Sequence, residues 1–112
     1  MLIAYRELIY APRGLAPVKV PIRMFAPEDM GGGYKCRFEI EWPEDPIRSY
    51  SAGADEFQAL DLTQKRVALE IYHSTYHASG RLWWKSPGRG YGFPIIPSAR
   101  DLLVGDDKRF YE

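Results

Sequence analysis

Residues 34–42 read YKCRFEIEW. Tyr34, Cys36, Phe38, Ile40 and Trp42 alternate with Lys35, Arg37, Glu39 and Glu41. Side chains of an extended chain point alternately to its two faces, so this stretch is a strand with one apolar face and one wet face. Such a strand belongs to an antiparallel sheet covered on one side only. The same alternation lies upstream in PVKVPIRM (17–24), with Val18, Val20, Ile22 and Met24 inward and Lys19 and Arg23 outward. Pro21 falls on the polar side and points to an edge position or a bulge, because it has no N–H for a ladder. Between the two runs, APEDMGGG (26–33) has the Pro and Gly content of a loop.

Two more strands complete the set. The opening residues, with Leu8, Ile9 and Tyr10, form the first, and PIRSYSA (46–52) a short fourth. Four strands joined by short turns make a mainly antiparallel meander. Lys19, Arg23, Lys35, Arg37, Glu39 and Glu41 are expected on its open face.

After residue 54 the period changes. Asp55 caps a helix, and Gln58 three positions on closes a capping box. No Gly or Pro follows until Gly80, which ends the run as a residue just past a helix does. One long helix, 55–79, is therefore expected across one face of the sheet. At about 100° per residue, Phe57, Leu60, Gln64, Val67, Ala68, Ile71 and Thr75 share the face laid on it. Gln64 is the polar member of that face and calls for a strand-backbone partner. A second stripe, Leu62, Leu69, Tyr72 and Tyr76, lies more than about 90° away and needs other cover. A second molecule, meeting those four residues as an interface, and the chain's own C-terminal segment are the two candidates.

That segment, RLWWKSPGRGYGFPIIP (81–97), holds two adjacent tryptophans, a Tyr, a Phe and three bases without an acid. Its Gly and Pro content makes it irregular. A last short helix capped by Ser98 is expected within PIIPSARDLLVG (94–105). Phe93 and one tryptophan fold back over the helix as cover. Arg81, Trp83, Trp84, Lys85, Arg89 and Tyr91 are the candidate binding residues. Trp, Tyr and Arg are the residue types of protein hot spots, and the same set could stack single-stranded nucleic acid. Adjacent residues in an extended segment face opposite sides, so one indole is buried while its neighbour stays open.

Composition narrows the choice. With 112 residues, the chain is read as one domain spanning 1–112. Fifteen bases balance fifteen acids, so no overall field draws in nucleic acid or a membrane. Charge is nonetheless segregated: nine acids and three bases lie between Glu28 and Asp61, against four bases and no acid between Arg81 and Arg100. The start carries Arg6 and Glu7 within ten residues and lacks a signal-peptide pattern, and no run of 18 apolar residues occurs. A cytoplasmic location is expected.

Groups that could carry chemistry are few. Cys36, the single cysteine, falls on the inward face, where a thiol behaves as a small hydrophobe. Glu70, His73 and His77 share a polar helix face, but no H-E-x-x-H is present, and a solvated surface is the expectation over a metal site. GGGYK (31–35) leads into a strand, whereas a phosphate loop leads into a helix. No cofactor is implied, and an enzyme is not expected.

GADEFQAL (53–60), after KCRFEIEWP (35–43), resembles a small family of uncharacterised bacterial domains. Its members share a strand meander, a helix opening with Gly-x-Asp-x-x-Gln-Ala-Leu and a Gly-Phe-Pro turn near the end. Here these fall at Gly53, Asp55, Gln58, Ala59, Leu60 and Gly92–Pro94. The resemblance implies an α+β fold and no activity. The functional expectation is a non-catalytic protein–protein interaction module, adaptor- or immunity-like and capable of self-association. Single-stranded nucleic-acid binding through residues 81–93 is the alternative.

Overall fold

The computed structural model describes residues 1–94; the expected helix after Ser98 lies outside them. In chain order the elements are β1 (Leu2–Tyr10), β2 (Val18–Phe25), β3 (Glu28–Asp29), β4 (Tyr34–Ile40), β5 (Ile47–Gly53), α1 (Glu56–Tyr72), α2 (Thr75–Ala78) and β6 (Leu82–Trp83). The fold is α+β: an open antiparallel sheet with one main helix packed on it.

The sheet has six strands, not four. The four expected strands form the meander β1-β2-β4-β5, and the two extra ones are two-residue pairings at its margins. β3 continues along β4 where β2 leaves off, and β6 returns from the far end of the chain to pair with β1. Pro21 lies neither at an edge nor in a bulge, because β2 has β1 on one side and β4 on the other. Its carbonyl accepts from Glu41 N just beyond the last β2–β4 pair. A residue's N–H and C=O project to the same side of a strand, so the missing donor also falls past the end of that ladder.

Strand parity follows the alternation. Arg6, Leu8 and Tyr10 of β1, Val20 and Ile22 of β2 and Cys36, Phe38 and Ile40 of β4 all lie on the helix side. Lys19, Arg23, Lys35, Arg37, Glu39 and Glu41 lie on the other.

The helix differs from expectation in phase and in length. Asp55 Oδ1 accepts from Gln58 N at 2.8 Å, and Gln58 Oε1 accepts from Ala54 N at 2.6 Å. This box starts α1 close against Gly53, where a Cβ would lie 2.5 Å from Ala59 N. Ala59 is thereby turned inward, and Phe57, about 200° away on the helical wheel, turns outward to 85% exposure. The strand contact expected of Gln64 is made one position earlier. Buried Thr63 Oγ1 reaches Cys36 O at 3.2 Å and Ala59 O at 2.8 Å, while Gln64 bonds only within the helix.

The run does not continue to residue 79. α1 ends at Tyr72, and Ser74, in extended conformation, caps α2 by accepting from His77 N. Ser and Thr compete with helix backbone for hydrogen bonds, and His-Ser-Thr concentrates that competition. The break directs Tyr76 under the sheet's end. Its ring stacks on Trp42 at 4.5 Å and meets Tyr10 edge-on at 4.9 Å. Its hydroxyl donates to Asp45 Oδ1 at 2.7 Å, and burial together with that bond pushes its pKa up to about 12.

α1 lies over β4 and β5, and the inner face of β1 is met by Tyr76 at Tyr10 and by the segment 84–93 at Arg6. Arg6 fastens that cover. Its Nη1 donates to the carbonyls of Tyr91 (3.0 Å) and Gly92 (3.1 Å), and its guanidinium lies 3.9 Å from the Trp84 ring and 4.5 Å from that of Phe93. Gly92 has φ +78°, and a Cβ there would sit 2.5 Å from Trp84.

Arg6→Met keeps the stem but removes the charge and the donors. It should destabilise the fold by about 1–3 kcal/mol in urea unfolding. Gly92→Ala should cost about as much through the strained φ and the clash. Because both act on one contact, the double variant should lose less than the sum. Two additive changes would show that Arg6 and Gly92 are independent.

Candidate functional site

Two surfaces were candidates from sequence, and the fold takes both apart. In the helix stripe, Tyr72 is 5% and Tyr76 8% exposed. Both belong to the core, Tyr72 meeting His77 and Tyr91 edge-on. Leu69 is partly buried against the core, and only Leu62 is open. Tyr72 is thus covered by Tyr91 of the chain's own C-terminal segment, and Tyr76 by Trp42 and by Tyr10 of the sheet.

Residues 81–91 are split by the register of β6. Leu82 pairs with Tyr10 and Trp83 with Ile9, which sends Leu82 inward and Trp83 to the outer face. Trp84 returns to the inner side, under Arg6, with Lys85 Nζ also over its ring at 4.7 Å. Tyr91 is buried, its hydroxyl bonded to His77 Nδ1 and reaching Leu82 O at 3.4 Å. Arg81 spends Nη1 on Ala11 O at 3.3 Å. Lys85 and Arg89 are exposed. Of the three rings in the group, Trp83 alone stands outside the inner layer.

What the fold does assemble is the outer face of the sheet. Rows of side chains run across it at right angles to the strands. One row is Tyr5, Arg23, Glu39 and Arg48; the next carries Phe25, Arg37 and Tyr50. Trp83 and Ile9 stand at the β6 end. Among the described residues no helix crosses this face.

Its charges are cross-linked. Arg23 reaches Glu39 and Glu41 at 3.4 and 3.3 Å, and Arg48 reaches the same two at 3.5 and 2.7 Å. Glu28 accepts from Arg37 Nε at 2.8 Å, and that bond leads the causes holding its carboxyl below the ordinary range. Arg37 also lies 4.8 Å from the Phe25 ring. Arg37, Glu39, Arg48 and Tyr50 rim a shallow hollow of about 230 Å³. Tyr5 and Tyr50 stand out of this mesh at 50% and 51% exposure. The alternation places the charges on this face, and Tyr5, Phe25 and Tyr50 share their parity. That shared parity is the signal that finds them in the sequence.

Groups with chemical potential are held elsewhere. Cys36 is buried, its thiol against Phe25 O at 3.2 Å, and burial pushes its pKa up. Glu70 is paired with Arg66 at 2.9 Å and His77 with Tyr91.

Residues 4–95 match the family described as "Domain of unknown function (DUF6968)", and the chain belongs to that family. This agrees with the resemblance to an uncharacterised domain family. No curated protein and no solved structure matches the chain.

His77 yields a pH dependence. Burial holds its pKa below the ordinary histidine value, so the unfolded chain binds the proton more tightly than the native one. The resulting stability is fully present above about pH 6.5 and is lost as pH falls through the native value. Melting temperature should therefore decline on acidification from pH 7 to 5, and His77→Gln should flatten that part of the profile. An unchanged profile in the variant would assign the decline to other groups.

Proposed function

We propose that this domain is a non-catalytic interaction module, adaptor- or immunity-like in class, that engages another protein through the outer face of its sheet. One observation carries the reading: a broad face, crossed by no helix among the described residues, on which the exposed Tyr5 and Tyr50 and the half-buried Phe25 and Trp83 are interleaved with charges of both signs. Aromatic anchors among arginines are the composition of protein hot spots. On a rigid sheet they are presented at little further cost in side-chain ordering.

The charge balance favours protein over nucleic acid. Lys19, Arg23, Lys35, Arg37 and Arg48 are interspersed with Glu7, Glu28, Glu39 and Glu41, and the carboxylates would repel a phosphate track. Stacking of single strands, the alternative, is left with one ring on the outer face, Trp83, and the exposed Lys85 and Arg89. The absence of a role for Cys36 in catalysis is supported by its burial and raised pKa, both of which oppose thiolate formation. A location in the cytoplasm is part of the same proposal; among the described residues no helix is long and apolar enough to cross a membrane.

The test is affinity capture from the native host's lysate with the immobilised chain. Tyr5→Ala and Trp83→Ala, each first shown to be folded, should weaken a captured partner by about 10- to 30-fold if either is an anchor. Leu62→Ala on the helix should leave it unchanged. A partner retained by both face variants and lost with Leu62→Ala would move the interaction to the helix.

A further inference from the structure

The two margins of the sheet are built differently. At one, β6 is two residues long and runs into the Gly- and Pro-rich stretch 86–92, so it offers little backbone to pair with. At the other, β5 extends over seven residues and pairs with β4 at seven successive positions, from Tyr34–Gly53 to Ile40–Ile47, with no register shift. Among the described residues nothing pairs with its far side. Edge strands normally carry a guard against pairing, such as a lysine, a proline or a bulge. Ile47–Gly53 has none of these. Its one charge, Arg48, is drawn onto Glu41 and Glu39.

We propose that β5 pairs with β5 of a second copy of this chain, antiparallel about a two-fold axis at Tyr50. The strand itself selects a copy as the occupant. An isologous contact sets residue i against j and j against i, and because the centre, Ser49-Tyr50-Ser51, reads the same in both directions, each of these residues meets a like side chain. Pairing about Tyr50 sets Ser49 opposite Ser51, Arg48 opposite Ala52 and Ile47 opposite Gly53. No like charges meet, and each arginine faces a small side chain. Ser49 and Ser51 lie on the helix side, partly exposed, and hydroxyls so opposed can bond across the strands. The two Tyr50 rings, each 51% exposed, come together on the outer face as an aromatic pair.

The axis stands perpendicular to the joined sheet, so both copies of α1 lie on the same side. The product is one continuous sheet of twice the width. This inference rests on the strand edge and shares only Tyr50 with the outer face proposed to take another protein, so the two readings can fail separately. Tyr5 and Trp83, which test that reading, are on β1 and β6.

Sedimentation velocity on the full 112-residue chain over a range of concentrations tests the pairing. The expected result is a reversible shift toward twice the 12.9 kDa of one chain. Tyr50→Glu places two carboxylates across the axis, while Arg37, its neighbour on β4, keeps the substitution tolerable within one chain. It should raise the dimer Kd by at least about tenfold. Ala52→Glu places a carboxylate opposite the second copy's arginine at position 48 and should lower Kd several-fold. Mass that stays at one chain at every concentration overturns the proposal. So does a dimer that neither variant alters, or one abolished by Leu62→Glu and not by Tyr50→Glu.

Discussion

A single α-helix is about 10 Å across, and neighbouring strands are about 4.8 Å apart, so one helix covers roughly two strands of a sheet. This sheet is wider than that. With α1 over β4 and β5, the inner faces of β1 and β2 would stand open to water if nothing else reached them. Tyr76 of α2 meets Tyr10, and residues 82–93 supply the layer around Arg6, which holds them there through two carbonyls and two aromatic rings. A cation on the inner side of a strand looks like a patterning fault. Here it joins an irregular, glycine-rich segment to a sheet it could not grip by ladder bonds alone.

The same economy explains the answer to the aromatic run at 81–93. Two adjacent indoles emerge on opposite faces because β6 keeps strand parity for just long enough to separate them. Trp84 becomes cover and Trp83 joins the outer face, each of them half-buried. The segment is neither a flap throughout nor a grip throughout.

The strands were legible in the sequence because alternation over seven or more residues leaves little freedom of register, as at 34–42. The order of the meander and the identity of its charged face follow from that alone. β3 and β6 were illegible because two residues cannot display a period. The helix start was legible in Asp55 and Gln58, but its phase was not: Phe57 is the most apolar residue of the first turn and dominates any amphipathic reading. What decides the phase is a close backbone approach at Gly53, visible in one dimension only as a pair of small residues, Gly53 and Ala59, spaced across the turn. The break at Ser74 was similarly hidden, since neither Gly nor Pro marks it. Of the candidate site, the fate of Tyr72 depended on where the chain goes after Gly80 and that of Tyr76 on the break at Ser74, neither of which periodicity within a helix contains.

The position of β1 has a kinetic consequence. It precedes the other described strands, yet it sits between β2 and β6, and Arg6 waits for carbonyls 85 and 86 residues further on. A β2–β4–β5 unit with α1 can assemble from contacts near in sequence. Closure over β1 needs nearly all of the described chain, and contacts of such separation form late because the loop entropy must be overcome first. During synthesis the inner side of β1 around Arg6 therefore lacks its cover until residues 91 and 92 have cleared the ribosome.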